Sequence, residues 1–270
     1  MLCKYNECYE ENLIVISDKA VIDSNAKIGS NVSIGPFSVI GPKVEIGDNC
    51  IIGPHVVING PTKIGQNNHF FQFSSIGEAP QDKKYAGEDT WLHIGDGNTF
   101  RECTTITRGT VQGGMKTIIG NHNLFMAYVH IAHDCEVGDH TVFSNNASLA
   151  GHVKVGNFAN LSGFVGVHQF CNIGAYSFCA GGSIIVKDVP PYVMVQGYPA
   201  NACGLNTEGL KRRQFSPEVI TQLKRAYRCL YREGHTLDEA VEKLSDMIQE
   251  CAPIKQFVTF IKASQRGIVR

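Results

Sequence analysis

The sequence has no long apolar run, no cysteine motif and no excess of either charge. Nothing in its 270 residues approaches 18 consecutive apolar positions, so no membrane span is expected. Met1 to Asn12 is polar and lacks the apolar stretch of a secretory leader. Ten cysteines are scattered with no Cys-x-x-Cys pair, which points to reduced, mostly buried thiols in a cytoplasmic protein. The 24 Lys+Arg against 25 Asp+Glu leave a net charge of −1, with no overall sign of nucleic-acid or membrane binding. No Ser-His or Cys-His nucleophile pairing stands out. What charge asymmetry exists is local. Residues 201–270 carry 12 basic and 8 acidic side chains, a balance of +4 against −5 for the remainder. A basic end of this kind suits an acidic partner, or is simply a solvated helical surface.

A six-residue beat is present instead. From Ile16 the chain places Ile22, Ile28, Ile34, Ile40, Ile46, Ile52, Ile58, Ile64, Phe70 and Ile76 at successive sixth positions. The beat resumes at Ile94, Phe100 and Ile106, then in a shifted phase from Ile119 through Phe125, Ile131, Val137, Phe143, Leu149, Val155, Leu161, Val167, Ile173, Cys179 and Ile185. Six is not a helical period; it fits short extended segments, whose side chains alternate. Six residues span about 20 Å at most and cannot close a turn, but they form one flat side. Three sides make the smallest closed prism, with about 18 residues per coil. The fold class is mainly β: a left-handed parallel β-helix of hexapeptide repeats over residues 13–190, with the apolar residue pointing inward. The Gly or Asn after it is expected to supply the unusual backbone angles of a corner.

Two polar stretches interrupt the beat, Gly77 to His93 and Thr107 to Ile118, and are expected to leave the prism as loops. Pro190 and Pro191 are expected to end strand pairing, leaving 191–270 as a C-terminal helical domain and 1–12 as an N-terminal extension. In that domain, Ser216-Pro217-Glu218 opens one helix, Gly234 closes it, Thr236-Leu-Asp-Glu239 is a capping box, and Pro253 opens a last helix.

Stacking at i to i+18 puts His133 over Gly151 and Gly151 over Gln169. It puts Asp134 over His152, with His168 beside Gln169. A histidine next to a carboxylate is the usual arrangement of a general base near neutral pH. A glycine that exposes its N–H can hold an oxyanion, and Gly151 is suitably placed. With no nucleophile pair, direct attack by a substrate hydroxyl on an activated acyl group fits better than a covalent intermediate. Prisms side by side would form clefts, which suits a homotrimer. Two other readings stand. Any one of these histidines can be a corner or interface residue, and histidines of two subunits can assemble zinc with a bound water.

The strings His130-Ile-Ala-His-Asp-Cys135, Leu149-Ala-Gly-His-Val153, His168-Gln-Phe-Cys171, Gln81-Asp-Lys-Lys-Tyr-Ala-Gly-Glu88, Arg108-Gly-Thr-Val-Gln-Gly-Gly114 and Glu208-Gly-Leu-Lys-Arg-Arg213 together resemble the bacterial UDP-N-acetylglucosamine O-acyltransferase family, over roughly residues 13 to 270. Hexads alone are shared by many acyltransferases; both loops with the Lys-Arg-Arg segment are specific. The resemblance implies the first step of lipid A synthesis: transfer of a 3-hydroxyacyl group from an acyl carrier protein to the glucosamine 3-hydroxyl of UDP-N-acetylglucosamine, without cofactor or metal. It implies His133 as general base, Asp134 as its orienter and the Gly151 N–H as oxyanion donor. Gln81, Asp82 and Lys84 would reach the substrates from a neighbouring subunit. His130, His152, His168 and Gln169 would line the sugar and acyl sites, and Gly181 would leave a deep groove for a long chain. Asn206, Glu208, Arg212 and Arg213 would contact the uridine and phosphate end or position the groups that do. Thr107 departs from the family, standing where better-known members have His, which implies a changed polar contact there. An amino-sugar N-acyltransferase or a 3-amino-sugar variant, a zinc enzyme of the γ-carbonic anhydrase kind and a non-catalytic trimeric scaffold are the competing readings. The N-acyltransferases carry an added N-terminal domain, and the last two readings explain neither the loops nor Lys211-Arg-Arg213.

Overall fold

The beat folds as a triangular prism in the computed structural model, which describes residues 15–249 and 251–270. The extension Met1 to Asn12 lies outside the described residues. Val21–Ile22 opens a first sheet, Lys27–Ile28 a second and Ser33–Ile34 a third, and Val39–Ile40 returns to the first. Val21 pairs in parallel with Val39 and Ile22 with Ile40, so one coil is 18 residues. Among the described residues the three sheets hold 9, 8 and 10 strands. The left-handed parallel β-helix expected from the period is the observed fold.

The apolar residue of each hexad points inward. Ile16, in the first described coil, is 48 % exposed, but Ile34 and every later residue of the beat is buried. Phe70, Phe100, Phe125 and Phe143 stack through the interior, with successive ring centroids 4.6, 5.0 and 5.0 Å apart. Polar groups at the corners satisfy one another. Asn98 donates its backbone N–H and its side-chain amide to Asn68 Oδ1, Asn123 N–H donates to Asn98 Oδ1, and Thr141 donates to Asn123 Oδ1. Such ladders remove the cost of burying polar atoms at a bend.

The glycine after the apolar residue does a different job from the one its conformational freedom suggested. The left-handed corner position falls two residues further on, and is filled by Asn31, Phe37, Lys43, Asn49 and His55 with φ between 55° and 61°. The hexad glycine is needed because coils approach closely there. A Cβ on Gly47 would lie 2.7 Å from Gly65 C and one on Gly35 2.7 Å from Pro54 N.

Both insertions leave at the same corner, between the first and second sheets. Ile76 pairs with Ile106, 30 residues on, and Ile106 with Ile131, 25 residues on, surpluses of 12 and 7 over a coil of 18. Strands Ser75–Glu78 and Trp91–Ile94 flank the first, and Thr105–Thr107 and Lys116–Ile119 the second. Only 79–90 and 108–115 therefore leave the prism, less than the polar composition marked out.

Pairing does not stop at the prolines. Val189 still bridges Ile173. Val193–Gly197 continues the third sheet beside Phe178–Cys179 and folds back in a hairpin on Ala200–Leu205. Pro191 sits at the turn, where no ladder hydrogen bond is asked of it. Helices follow: α1 (Thr207–Arg212), α2 (Pro217–Tyr231), α3 (Leu237–Asp246) and α4 (Ala252–Ala263). Ser216 caps α2 and Thr236 with Glu239 forms the expected capping box of α3. Tyr192 Oη donates to Gln256 Oε1 at 2.5 Å and Ser264 Oγ to Asp188 Oδ2 at 2.7 Å, tying α4 and its end to the last coil.

Candidate active site

The corner that releases both insertions is the corner that carries the histidines. His133 and Asp134 follow the first-sheet strand His130–Ile131, and Gly151 and His152 follow Ser148–Leu149 one coil later. The stack expected from the period is present: His152 N–H donates to His133 O, and Phe170 N–H donates to Gly151 O.

His133 Nδ1 lies 2.8 Å from Asp134 Oδ2. A carboxylate oxygen only accepts, so Nδ1 carries the proton, and in the neutral ring the lone pair is on Nε2. Asp134 has no exposed side-chain surface, whereas His133 keeps 16 % of its own. The His133 ring lies directly over Gly151, whose Cα leaves room that a Cβ would fill 2.6 Å from Cε1. No protein acceptor takes the Gly151 N–H among the described residues. His152 meets the His133 ring edge-on at 5.1 Å and stacks flat on Phe170 at 4.4 Å. Burial holds its pKa below the ordinary histidine value, although Asp134 pulls the other way.

Gln81, Asp82 and Lys84 come over this corner from the first insertion. With His133, His152 and Gln169 of the same chain they line an open cavity of about 660 Å³. Within one chain the loop thus already lies over its own His133. The second insertion contributes Thr110 and Gln112, and Lys83 and Phe170 complete the wall; these had not been singled out. Arg108 anchors the base of the first loop, donating to Gly60 O, Gly77 O and Tyr85 Oη.

Other expected residues stand apart from the cavity wall. His130 faces outward on the first sheet, its Nδ1 2.7 Å from Thr105 Oγ1, and burial lowers its pKa. His168 is exposed at the same corner as His133, its Nδ1 3.1 Å from Gln169 O. Gly181 is exposed at the corner between the third and first sheets, where an added Cβ would meet only Gly163 O at 3.4 Å. The C-terminal group sits at the remaining corner. Asn206 Oδ1 accepts from Gly209 N–H as the α1 cap, and its amide donates to Tyr176 O. Glu208 pairs with Lys211 in solvent, Arg212 is exposed, and the Arg213 guanidinium lies 4.6 Å over the Phe158 ring. One chain thus separates Arg212 and Arg213 from His133 by a whole face of the prism.

Comparison with known proteins gives the same picture. The C-terminal part, 188–269, matches the family described as UDP-N-acetylglucosamine O-acyltransferase, domain 2; 25–60 and 116–151 match the bacterial transferase hexapeptide repeat. The acyl-[acyl-carrier-protein]–UDP-N-acetylglucosamine O-acyltransferase of Halorhodospira halophila is 55 % identical over 255 residues, 94 % of this chain and 99 % of its own. The chain belongs to the UDP-N-acetylglucosamine O-acyltransferase family. Its Thiobacillus denitrificans relative is 54 % identical over 96 % of this chain and all of its own. The solved acyltransferase of Moraxella catarrhalis superposes with a TM-score of 0.93 at 48 % identity, covering 94 % of this chain and 99 % of its own. That of Francisella novicida gives 0.93 at 45 %, covering 95 % and 94 %.

As a family member the protein is an acyltransferase, and the likeness drawn from the two loops and the Lys-Arg-Arg segment extends along nearly the whole chain. No helix among the described residues is long and apolar enough to cross a membrane. Thr107 is buried, its hydroxyl has no hydrogen-bond partner among the described residues, and it is not part of the cavity wall. His133, Asp134 and His152 offer ligand atoms within 4.8 Å of one another. Asp134 Oδ2 already accepts from Thr110 Oγ1 and His133 Nδ1, so an ion bound there would have to compete with these donors. A second such group, Cys229, Glu233 and His235, lies at the end of α2, away from the cavity.

Proposed function

We propose that the protein transfers a (R)-3-hydroxyacyl group from an acyl carrier protein thioester to the glucosamine 3-hydroxyl of UDP-N-acetylglucosamine, the first step of lipid A synthesis. His133 Nε2 takes the proton of the 3-hydroxyl as that oxygen attacks the thioester carbonyl. The tetrahedral oxyanion is held by the Gly151 N–H. Collapse expels the carrier thiolate, which receives the proton back from the imidazolium, and no acyl-enzyme forms. Asp134 keeps the tautomer and stabilises the charged ring. The observation that carries this reading is the His133–Asp134 pair lying directly over a glycine with a free N–H.

Gln81, Asp82 and Lys84 close over the reacting groups. His152, His168 and Gln169 face the sugar, and His130 and Gly181 border the acyl chain along the first sheet. Arg212 and Arg213 hold the phosphates, positioned by Asn206 and Glu208. Because these arginines and His133 occupy different corners of one prism, a complete site takes His133 from one copy and Arg212 from another, in a homotrimer. The eight free cysteines among the described residues fit a reducing, cytoplasmic setting.

The test is purified protein with UDP-N-acetylglucosamine and a series of 3-hydroxyacyl carrier thioesters, product mass being read directly. His133→Ala should lower turnover by about 10²–10⁴-fold, the usual contribution of a positioned base, or roughly 3–5 kcal/mol, with its oligomeric state kept. Near-normal turnover would remove His133 from the role.

A further inference from the structure

The second insertion packs against Asp134. Thr110 donates its backbone N–H to Asp134 Oδ1 at 2.7 Å and its hydroxyl to Oδ2 at 2.6 Å. Asp134 N–H in turn donates to Thr117 Oγ1 at 2.9 Å. The short turn Val111–Gly113 packs so tightly against the carboxyl group that a Cβ on Gly113 would overlap the Asp134 carboxyl carbon. Each oxygen of Asp134 thus has a fixed donor, and the remaining acceptor position on Oδ2 faces His133 Nδ1.

We propose that Thr110 and Gly113 are positioning residues for the transfer. They fix the plane and rotation of the Asp134 carboxylate, and through it the tautomer and aim of His133. This inference rests on the reading of His133 as general base. Three observations support it over a role in holding the fold together. The turn is on the outside of the molecule, with Val111 48 % exposed and none of its residues buried, so it buries no core of its own. Both donors of Thr110 go to one carboxylate, 24 residues away in sequence, and Thr110 is itself only 1 % exposed. The insertion also leaves the prism one coil before His133 and at His133's own corner, so that its seven surplus residues reach Asp134. A carboxylate with no such donors can rotate about its last torsion, which is broad. Rotation that turns both oxygens away from the ring would break the Nδ1 hydrogen bond and let the imidazole take the other tautomer, with its lone pair turned away from the substrate.

Thr110→Val keeps the shape and the backbone donor and removes only the hydroxyl. It should lower kcat by about 10- to 100-fold, a part of what a positioned base contributes, with KM for both substrates unchanged. Thr110→Ser, which restores the donor, should recover turnover. In a His133→Ala background Thr110→Val should change nothing further, because two residues acting through one group are not additive. Gly113→Ala displaces the same carboxylate from an exposed turn, so it reports even if Thr110→Val folds poorly, and it should show the same kcat loss. Normal turnover in Gly113→Ala or in folded Thr110→Val would overturn the proposal, as would a Thr110→Val loss that persists in full without His133. An active His133→Ala would instead overturn the base assignment.

Discussion

Gly151→Ala is the most direct probe of the corner. The backbone there tolerates an L side chain, since Gly151 is not among the positive-φ residues. The new methyl would lie 2.6 Å from His133 Cε1, 2.9 Å from Nε2 and 3.2 Å from Nδ1. Ordinary carbon contacts begin near 3.5 Å, so the ring must withdraw by about 0.9 Å. The atoms in the way are the far end of a side chain beside an open cavity, so the ring moves rather than the coil. Misplacing a reacting group by about 1 Å costs about 10²-fold in rate, or about 2.7 kcal/mol. The substitution should therefore leave Tm and oligomeric state close to wild type while kcat falls by about two orders of magnitude. Steady-state kinetics with the acyl carrier thioester, beside a thermal melt, decide it. Turnover within about threefold of wild type would mean that the ring position over Gly151 is not the one that reacts.

Two further outcomes follow from the fold. Gly47→Ala should destabilise by about 1–3 kcal/mol, as overpacking does, and by more than Asn49→Gly, which only relieves a left-handed residue with φ 58°; denaturant midpoints in the opposite order would contradict the close-approach account of the hexad glycine. His69, His93, His130 and His152 all have pKa values held down mainly by burial, so below the ordinary value of about 6.5 the unfolded chain binds more protons than the folded one. Folding stability should thus be complete near pH 7.5 and fall as the pH drops through about 6.5, and replacing His69 and His130 by Gln should flatten the slope of Tm against pH.

The period of six was legible because it is a property of neighbours: Ile28, Ile34 and Ile40 recur at a spacing only a flat-sided coil uses, and coil length then aligned His133 with Gly151. The capping residues Ser216 and Thr236 were legible for the same reason, since a cap acts within one turn. What escaped was set by distance through space. Phe37 and His152 take left-handed backbone, though nothing in their chemistry announces it; coil stacking, as in the 4.4 Å contact of His152 with Phe170, supports them there. Thr110 looked like one more loop threonine because its partner lies 24 residues on. The prolines 190 and 191 misled, because Pro191 falls at a turn and pairing resumes at Val193.

The separation of His133 from Arg212 makes the shared-site reading testable by mixing. On that reading, His133→Ala alone lacks the base at every site, and Arg212→Ala alone lacks a phosphate ligand at every site. In a mixed assembly, a cleft that takes His133 from an Arg212→Ala chain and Arg212 from a His133→Ala chain is intact. Refolding equal amounts of the two inactive variants together should restore about one site in four, as random pairing in a closed ring requires. If both residues served the same cleft from one chain, every cleft would keep one lesion and no activity would return. Recovery measured at saturating carrier thioester, and absent when the two are mixed without dissociation, would show that arginine and histidine meet across chains. Its absence in verified hybrids would place the nucleotide end on the His133 side of a single prism and require other residues to hold the phosphates.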